Sequence, residues 1–158
     1  MRPRGHGVKA ARCHSLSVRF ARMGEAELFN PWRELRGRPW IELRWTFLRG
    51  QRGLWVPQTV GSTIHLDPRL GRRERRCVLA HELVHEERGI AYTRSTPAAM
   101  VQLEERCVER ETVRRLVPPG DLMTLVHVLA PEPVTVVDVA DWFDVDWRTA
   151  RAACALLG

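Results

Sequence analysis

The feature that most constrains this chain is the pentapeptide His81-Glu82-Leu83-Val84-His85, which matches the pattern HExxH. Residues four apart in sequence share one face of an α-helix, so both imidazoles can point at one cation. Glu82 lies between them, where a carboxylate can act as the general base of a hydrolytic reaction. The pattern therefore predicts a zinc site held by His81 and His85, with Glu82 as the catalytic residue.

The residues around this motif favour a half-buried helix. Residues 72–76 form a charged first turn, residues 77–80 are apolar, and Gly89 is a glycine of the kind that commonly ends helices. A second interpretation stays open, in which the histidines are ordinary polar residues of a charged amphipathic helix. The context of the motif favours the metal site.

A second helix, predicted after residues 95–97, supplies the third candidate ligand. Its core-facing stripe, spaced by three and four residues, consists of Val101, Glu105, Val108, Thr112 and Leu116. Burying an unpaired carboxylate is costly, and a zinc ion would compensate for it, so Glu105 is a candidate zinc ligand. Glu109, one turn further on, is predicted to orient a metal-bound histidine.

The competing interpretation of this second helix is a solvated face of ion pairs. Under it, Glu104, Glu105, Glu109 and Glu111 pair with Arg106, Arg110, Arg114 and Arg115. The sequence leaves both interpretations open.

Three short strands are predicted before the motif. Residues 40–48 alternate between apolar and polar side chains, with Ile41, Leu43, Trp45 and Phe47 on one face. Residues 54–56 and 62–66 follow as the second and third strands. Together they predict an α+β fold with a small antiparallel three-stranded sheet packed on the HExxH helix. Residues 62–66 are predicted to be an edge, which either binds an extended peptide beside the metal or is merely covered by solvent and a loop.

Length, hydropathy and cysteine content exclude several classes of protein. A chain of 158 residues suits one compact domain with short extensions. No apolar run is long enough to span a membrane, and the basic N-terminus lacks the apolar segment of a signal peptide, so we expect a cytoplasmic protein. The four cysteines form no CxxC pair, which argues against a disulfide framework or a cysteine zinc site.

The net charge of +6 comes from the first 22 residues, which contain six basic residues and no acid. The remainder is neutral, with nineteen basic and nineteen acidic residues. Because residues 1–22 have no periodic apolar pattern, we expect them to form a disordered basic arm.

The C-terminal part is predicted to be a helical pair, residues 135–143 and 146–157, that looks superficially like a helix-turn-helix motif. Residues 119–158 contain six acidic residues and only two arginines. An acidic face repels phosphate, which argues against a nucleic-acid partner. The pair is therefore interpreted as a packing element or a surface that recognises a protein.

Several separated blocks of this sequence occur in the order seen in one known family. The blocks are residues 29–32, 64–67, 74–77, 79–85, 87–89 and 105–118. In this succession the chain resembles the ImmA/IrrE family of small metallopeptidases, particularly short forms from actinobacteria and their phages. The resemblance covers somewhat over half of the chain and is far more specific than HExxH alone.

The resemblance implies a minimal zincin (gluzincin-like) domain in residues 23–130, followed by the helical pair in residues 131–158. The family's third ligand is a glutamate three residues before a small residue, which corresponds to Glu105, so the implied zinc ligands are His81, His85 and Glu105. The implied function is a zinc endopeptidase of narrow specificity. Its implied substrate is a helix-turn-helix repressor of prophage, mobile-element or stress genes.

Two functions from other classes stay open. The first is a non-catalytic module that uses the zinc fold to bind a partner protein, against which the presence of Glu82 argues. The second is a DNA-binding regulator that uses the basic arm and the C-terminal helices, against which the acidic C-terminal part argues. For a peptidase, Tyr92, His65 and His127 are the candidates for stabilising the oxyanion.

Overall fold

The computed structural model describes residues 28–157, which form an α+β fold with six α-helices and one three-stranded sheet. The predicted arm, residues 1–22, lies outside the described residues. In chain order the elements are α1 (Pro31–Arg36), β1 (Ile41–Trp45), β2 (Gly53–Pro57), β3 (Ser62–Leu66), α2 (Arg72–Arg88), α3 (Ala98–Leu116), α4 (Pro119–Leu129), α5 (Val136–Phe143), α6 (Trp147–Cys154) and a final 3-10 turn (Ala155–Leu157). None of the described helices has the length and apolar character needed to cross a membrane.

The sheet is mixed, with β3 at its centre between β1 and β2. β3 pairs in parallel with β1 and antiparallel with β2. The predicted antiparallel sheet is therefore wrong for its first strand, which is parallel to β3, and residues 62–66 are not an edge. The physical reason is burial. Ile64 and Leu66 are fully buried, as the central strand requires, whereas β1 and β2 keep several exposed residues.

Only part of the alternating stripe predicted for the first strand is buried. Ile41 lies in the core, but β1 ends at Trp45, and Phe47 beyond it is 76% exposed. Trp45 stays at the surface, where its ring stacks on Trp32 and the guanidinium of Arg75 lies 5.1 Å from its centroid. Alternation identified the strand correctly, but it did not determine where the strand ends.

Helix α2 carries the HExxH motif and lies between two apolar clusters. On one side Val78 and Leu83 pack against the sheet. On the other side Cys77 and Ala80 pack against residues of α3 to α6. The helix ends at Gly89, whose φ of 65° lies in the left-handed region that glycine adopts without strain. Apolar contacts thus cover two sides of α2, and the two histidines lie on a third side that these clusters do not cover.

The second apolar cluster crosses the predicted boundary at residue 130. It contains Val113 and Leu116 of α3 together with Phe143 of α5 and Ala150 of α6. The division into a metallopeptidase domain and a C-terminal helical pair stays a prediction, and the two parts share one core.

Arginines at the start of α2 attach this helix to the C-terminal pair. Arg76 is buried, and its guanidinium donates hydrogen bonds to the carbonyl oxygens of Phe29 at 2.7 Å and of Phe143 and Asp144 at 3.0 Å. Burial lowers the pKa of Arg76. Arg72 lies at the surface and pairs with the Asp144 carboxylate at 2.6 Å. The charged first turn predicted from the sequence is therefore an attachment point.

Candidate metal centre

His81 and His85 project from one side of α2 and approach each other. Their Nε2 atoms are 3.1 Å apart, and their ring centroids are 4.8 Å apart. His85 is buried and His81 is partly exposed. The four-residue spacing brings two imidazole nitrogens to one point, because residues at that spacing share a helix face.

Glu105 reaches the same point from α3. Its Oε2 lies 3.4 Å from Nε2 of His81, and its Oε1 lies 3.4 Å from Nε2 of His85. Hydrogen bonds from His81 and then from His85 hold the pKa of the Glu105 carboxyl well below its usual range. Burial opposes charge on His85, but the hydrogen bond to Glu105 and the nearby carboxylate of Glu82 outweigh it and raise the pKa of His85.

These three side chains could hold a metal ion, since their ligand atoms all lie within 4.8 Å of one another. Tetrahedral zinc with bonds of about 2.0–2.1 Å places neighbouring ligand atoms about 3.3 Å apart. The observed separations of 3.1 Å and 3.4 Å are close to that value. Two imidazoles and a carboxylate are also the donor set of well-known catalytic zinc sites. Both the geometry and the chemistry of these residues therefore fit zinc.

Glu82 lies beside this group without joining it. Its side chain is buried, with 5% of the residue exposed, and it accepts a hydrogen bond from the backbone N–H of Trp55 in β2. Burial raises the pKa of the Glu82 carboxyl, although the two histidines and the Trp55 hydrogen bond oppose the rise. A buried carboxyl with a raised pKa next to a metal-binding group is suited to accepting and returning a proton.

Gly53, at the start of β2, is a residue that the sequence analysis missed. A Cβ at this position would lie 2.5 Å from Oε1 of Glu82 and 2.5 Å from Cγ1 of Val78, which is closer than any real contact. Glycine therefore lets the strand approach the carboxylate closely. Glycine in a strand often marks a close approach, but the sequence does not say which group approaches it.

Tyr92 is the one oxyanion candidate that the structure places at the centre. Its hydroxyl donates to Oε1 of Glu105 across 3.4 Å, and its ring meets His85 edge-on with centroids 6.3 Å apart. Burial, and then the charge of Glu105, raises the pKa of Tyr92 to about 12, so the hydroxyl keeps its proton at neutral pH. His65 instead bonds Thr46 Oγ1 across 2.9 Å, away from the centre.

The other glutamates of α3 divide between the two interpretations of that helix. Glu104 pairs with Arg88 of α2, and Glu111 pairs with Arg115 across 2.9 Å. Glu109 is exposed on the wall of the cleft and makes no hydrogen bond or ion pair within residues 28–157. The structure thus brings Glu105 to the histidines, whereas it does not bring Glu109 into contact with either of them.

The metal-binding group opens into a cleft of about 710 Å³. Strand β2 and the turn before it form one wall, and residues 90–92 with α3 form the other. The far end is formed by Asp146, Arg148 and Thr149 of the C-terminal pair. This volume lies in the range of sites that hold small ligands or a short segment of peptide.

No model of a known protein family matches the chain, and no curated protein matches it either. The family resemblance therefore depends on the sequence blocks given above, and it remains a hypothesis. Independently of it, the structure contains three side chains suited to a metal ion, placed next to a buried carboxyl in an open cleft.

Proposed function

We propose that the protein is a zinc-dependent endopeptidase of narrow specificity. The observation that carries this proposal is the convergence of His81, His85 and Glu105 to within 4.8 Å beside the buried Glu82. A metal site that served only to stabilise the fold would not need a carboxyl of this kind next to it. The open cleft supports a site that admits a substrate.

In this proposal His81, His85 and Glu105 hold the zinc ion, which when bound supplies a Lewis acid and lowers the pKa of water to about 7. Glu82 accepts the proton of the attacking water and returns it to the nitrogen of the leaving amine. The N–H of Trp55 fixes the Glu82 carboxylate in position. The Tyr92 hydroxyl, which keeps its proton, donates to the oxyanion that develops on the peptide carbonyl.

The edge that would bind a peptide is β2 instead of β3. Asp67 N–H donates to the carbonyl of Arg52, and Gln58 N–H donates to the carbonyl of Gly61, each across 3.0 Å. In an antiparallel pair, the backbone N–H and carbonyl groups of every second residue point toward the partner strand. Arg52 and Gln58 bond to the β3 side, so the residues at even positions between them do so as well. The backbone groups of Gly53, Trp55 and Pro57 therefore point away from β3.

These outward backbone groups leave a short edge for pairing. The N–H of Trp55 is used by Glu82, and Pro57 has no N–H. A peptide can then bond to the N–H and carbonyl of Gly53 and to the carbonyl of Trp55. Pairing over so few groups fixes the peptide next to Glu82 but provides little affinity, so side chains must supply the specificity.

The proposed substrate, a helix-turn-helix repressor, follows from the family resemblance alone. If the C-terminal pair were an acidic surface that recognises a protein, it would suit a basic DNA-binding domain. In the structure, however, four of its carboxylates have partners inside the protein. Asp138 binds the N-terminus of α5, Asp141 and Asp144 pair with arginines of α2, and Asp146 pairs with Arg52. Charge attraction by this pair therefore no longer supports the choice of substrate.

The test is to incubate the purified, zinc-loaded protein with the repressor encoded nearest to its gene and to search for a single cut by mass spectrometry. The matched control is Glu82→Gln, which removes the base and retains the three proposed ligands. We expect one cut with the wild type and none with Glu82→Gln. If neither this nor other host helix-turn-helix repressors is cut, and Glu82→Gln behaves like the wild type in cells, the peptidase proposal fails and a non-catalytic binding module replaces it.

A further inference from the structure

The far end of the cleft is formed by the first turn of α6, which is the third helix after the one that carries Glu105. The N-terminus of α6 is fixed there by Asp146, whose carboxylate accepts from Thr149 N–H at 2.9 Å and from Arg52 at 2.7 Å. The N–H of Asp146 in turn points at Sγ of Cys77 in α2, 3.3 Å away. These contacts hold α6 in a defined position against both the turn before β2 and the HExxH helix.

The two arginines that line the cleft differ in their partners. Arg52 pairs with Glu74 at 3.1 Å and with Asp146 at 2.7 Å, so its charge is neutralised within the protein. Arg148 is exposed, lines the cleft, and pairs with no carboxylate of the described chain. Glu109 lines the same cleft as Arg148 and has no partner within residues 28–157. No ion pair joins Glu109 to Arg148, so Glu109 does not neutralise the arginine. The far end of the cleft therefore carries an available positive charge.

The cleft wall between the metal-binding group and Arg148 includes apolar side chains beside Thr112 and Thr149. Val78 and Val113 are buried and line it, together with the thiol of Cys77. Cys77 lies four residues before His81 in α2, and Val113 lies eight residues after Glu105 in α3. At a helical rise of about 1.5 Å per residue, this part of the cleft extends about 6 to 12 Å from the metal ligands. Two to three residues of an extended peptide span such a distance, at about 3.3 Å each.

On the basis of the proposed function, we propose that this end of the cleft is a specificity site for an acidic side chain of the substrate. A glutamate two or three residues from the scissile bond would pack its aliphatic stem on Val78 and Val113. Its carboxylate would pair with Arg148. The C-terminal helix α6 thus acts in substrate selection, which is a role that neither its acidic composition nor the HExxH motif indicates.

The test measures binding to the zinc-loaded protein by calorimetry, without any need for turnover. The probes are tripeptide hydroxamates in two series, with the hydroxamate at the C-terminal or the N-terminal end. In each series the second or third residue from the hydroxamate is glutamate, glutamine or lysine. In at least one series we expect the glutamate probe to bind about three- to fivefold more tightly than the glutamine probe, as for an exposed ion pair, and the lysine probe to bind most weakly.

Arg148→Glu should reverse the order of the glutamate and lysine probes. The matched control is Arg151→Glu, which makes the same change of charge on the same helix at an exposed residue that does not line the cleft. It should leave the order unchanged. Equal binding of the glutamate and glutamine probes to the wild type, a preference for lysine, or equal effects of the two substitutions would overturn the inference while leaving the proposed function intact. If no hydroxamate binds although zinc is present, the proposed function itself fails.

Discussion

The two halves of helix α2 both carry charged side chains, but they use them differently. In the first half, Arg72 pairs with Asp144, and Arg76 donates to three backbone carbonyls. In the second half, His81 and His85 approach each other and the Glu105 carboxylate, whereas Arg88 at the end of the helix pairs with Glu104.

Two sets of side chains on one helix therefore differ in function: one stabilises the fold, and the other is suited to binding a metal ion. The charges of the first half are satisfied by partners inside the protein, so they fix the C-terminal helices to α2. The polar atoms of His81 and His85 converge with the Glu105 carboxylate on one point, where a metal ion could be held. A substitution of Arg76 should therefore lower stability and leave metal binding unchanged, whereas a substitution of His81 or His85 should weaken metal binding.

The largest expected effect is on metal affinity. His85→Ala removes a ligand, and zinc affinity should fall by more than the roughly ten- to hundredfold that follows loss of a residue supporting a ligand. Glu82→Gln should retain zinc, since Glu82 lies outside the group. Chelator competition with metal analysis measures both, and His127→Ala, at an exposed histidine outside the cleft, is the control. A Glu82→Gln protein without zinc, or a His85→Ala protein that keeps it, would reverse the assignment.

The next effect should appear in stability alone. Arg76→Leu removes the donor from three backbone carbonyl oxygens, of which that of Phe143 is buried, and we expect the free energy of unfolding to fall by about 3 kcal/mol. Zinc affinity of the folded protein should stay the same. Arg72→Leu is the control, because the Arg72 side chain is 81% exposed. Chemical denaturation measures both variants, and equal losses from the two substitutions would show that burial of Arg76 contributes nothing.

A smaller effect is expected where β2 meets Glu82. Gly53→Ala must displace the Glu82 carboxylate or the strand, since the new Cβ would lie 2.5 Å from Oε1. Misplacing the base by about 1 Å can cost up to about a hundredfold in rate, so kcat/KM should fall by about ten- to a hundredfold while zinc is retained. Gly120→Ala, where no atom lies within 4 Å of the added Cβ, is the control. Unchanged kcat/KM in Gly53→Ala would mean that this contact does not position the base.

The smallest effect should come from Glu109. The sequence predicted that it orients a histidine, for which a loss of about ten- to a hundredfold in zinc affinity would be expected on substitution. Because the structure shows no contact between Glu109 and either histidine, we expect Glu109→Gln to change zinc affinity less than twofold. Isothermal titration with zinc distinguishes the two expectations, and a tenfold loss would restore the sequence-based role.

The sequence predicted the parts of the site that depend on spacing along a helix. The shared face of His81 and His85 follows from helical periodicity, and the end of α2 follows from the glycine at position 89. The predicted buried stripe of α3 is only partly right, because Glu104 is buried whereas the Glu105 side chain is 43% exposed. The order of the strands was predicted wrongly, because alternation in residues 40–48 reports burial of one face and contains no information about which strand is the neighbour. The close approach of Gly53 to Glu82 and the position of Arg148 in the cleft depend on how distant parts of the chain pack, so no local pattern reveals them.

The most direct test of the central claim is a crystal structure of the zinc-loaded protein with data collected on both sides of the zinc absorption edge. We expect one anomalous peak bonded to Nε2 of His81, Nε2 of His85 and a carboxylate oxygen of Glu105, with Glu82 close by but not bonded to the metal. A peak at another site, a peak bonded to Glu82 in place of Glu105, or no peak despite excess zinc would contradict the account.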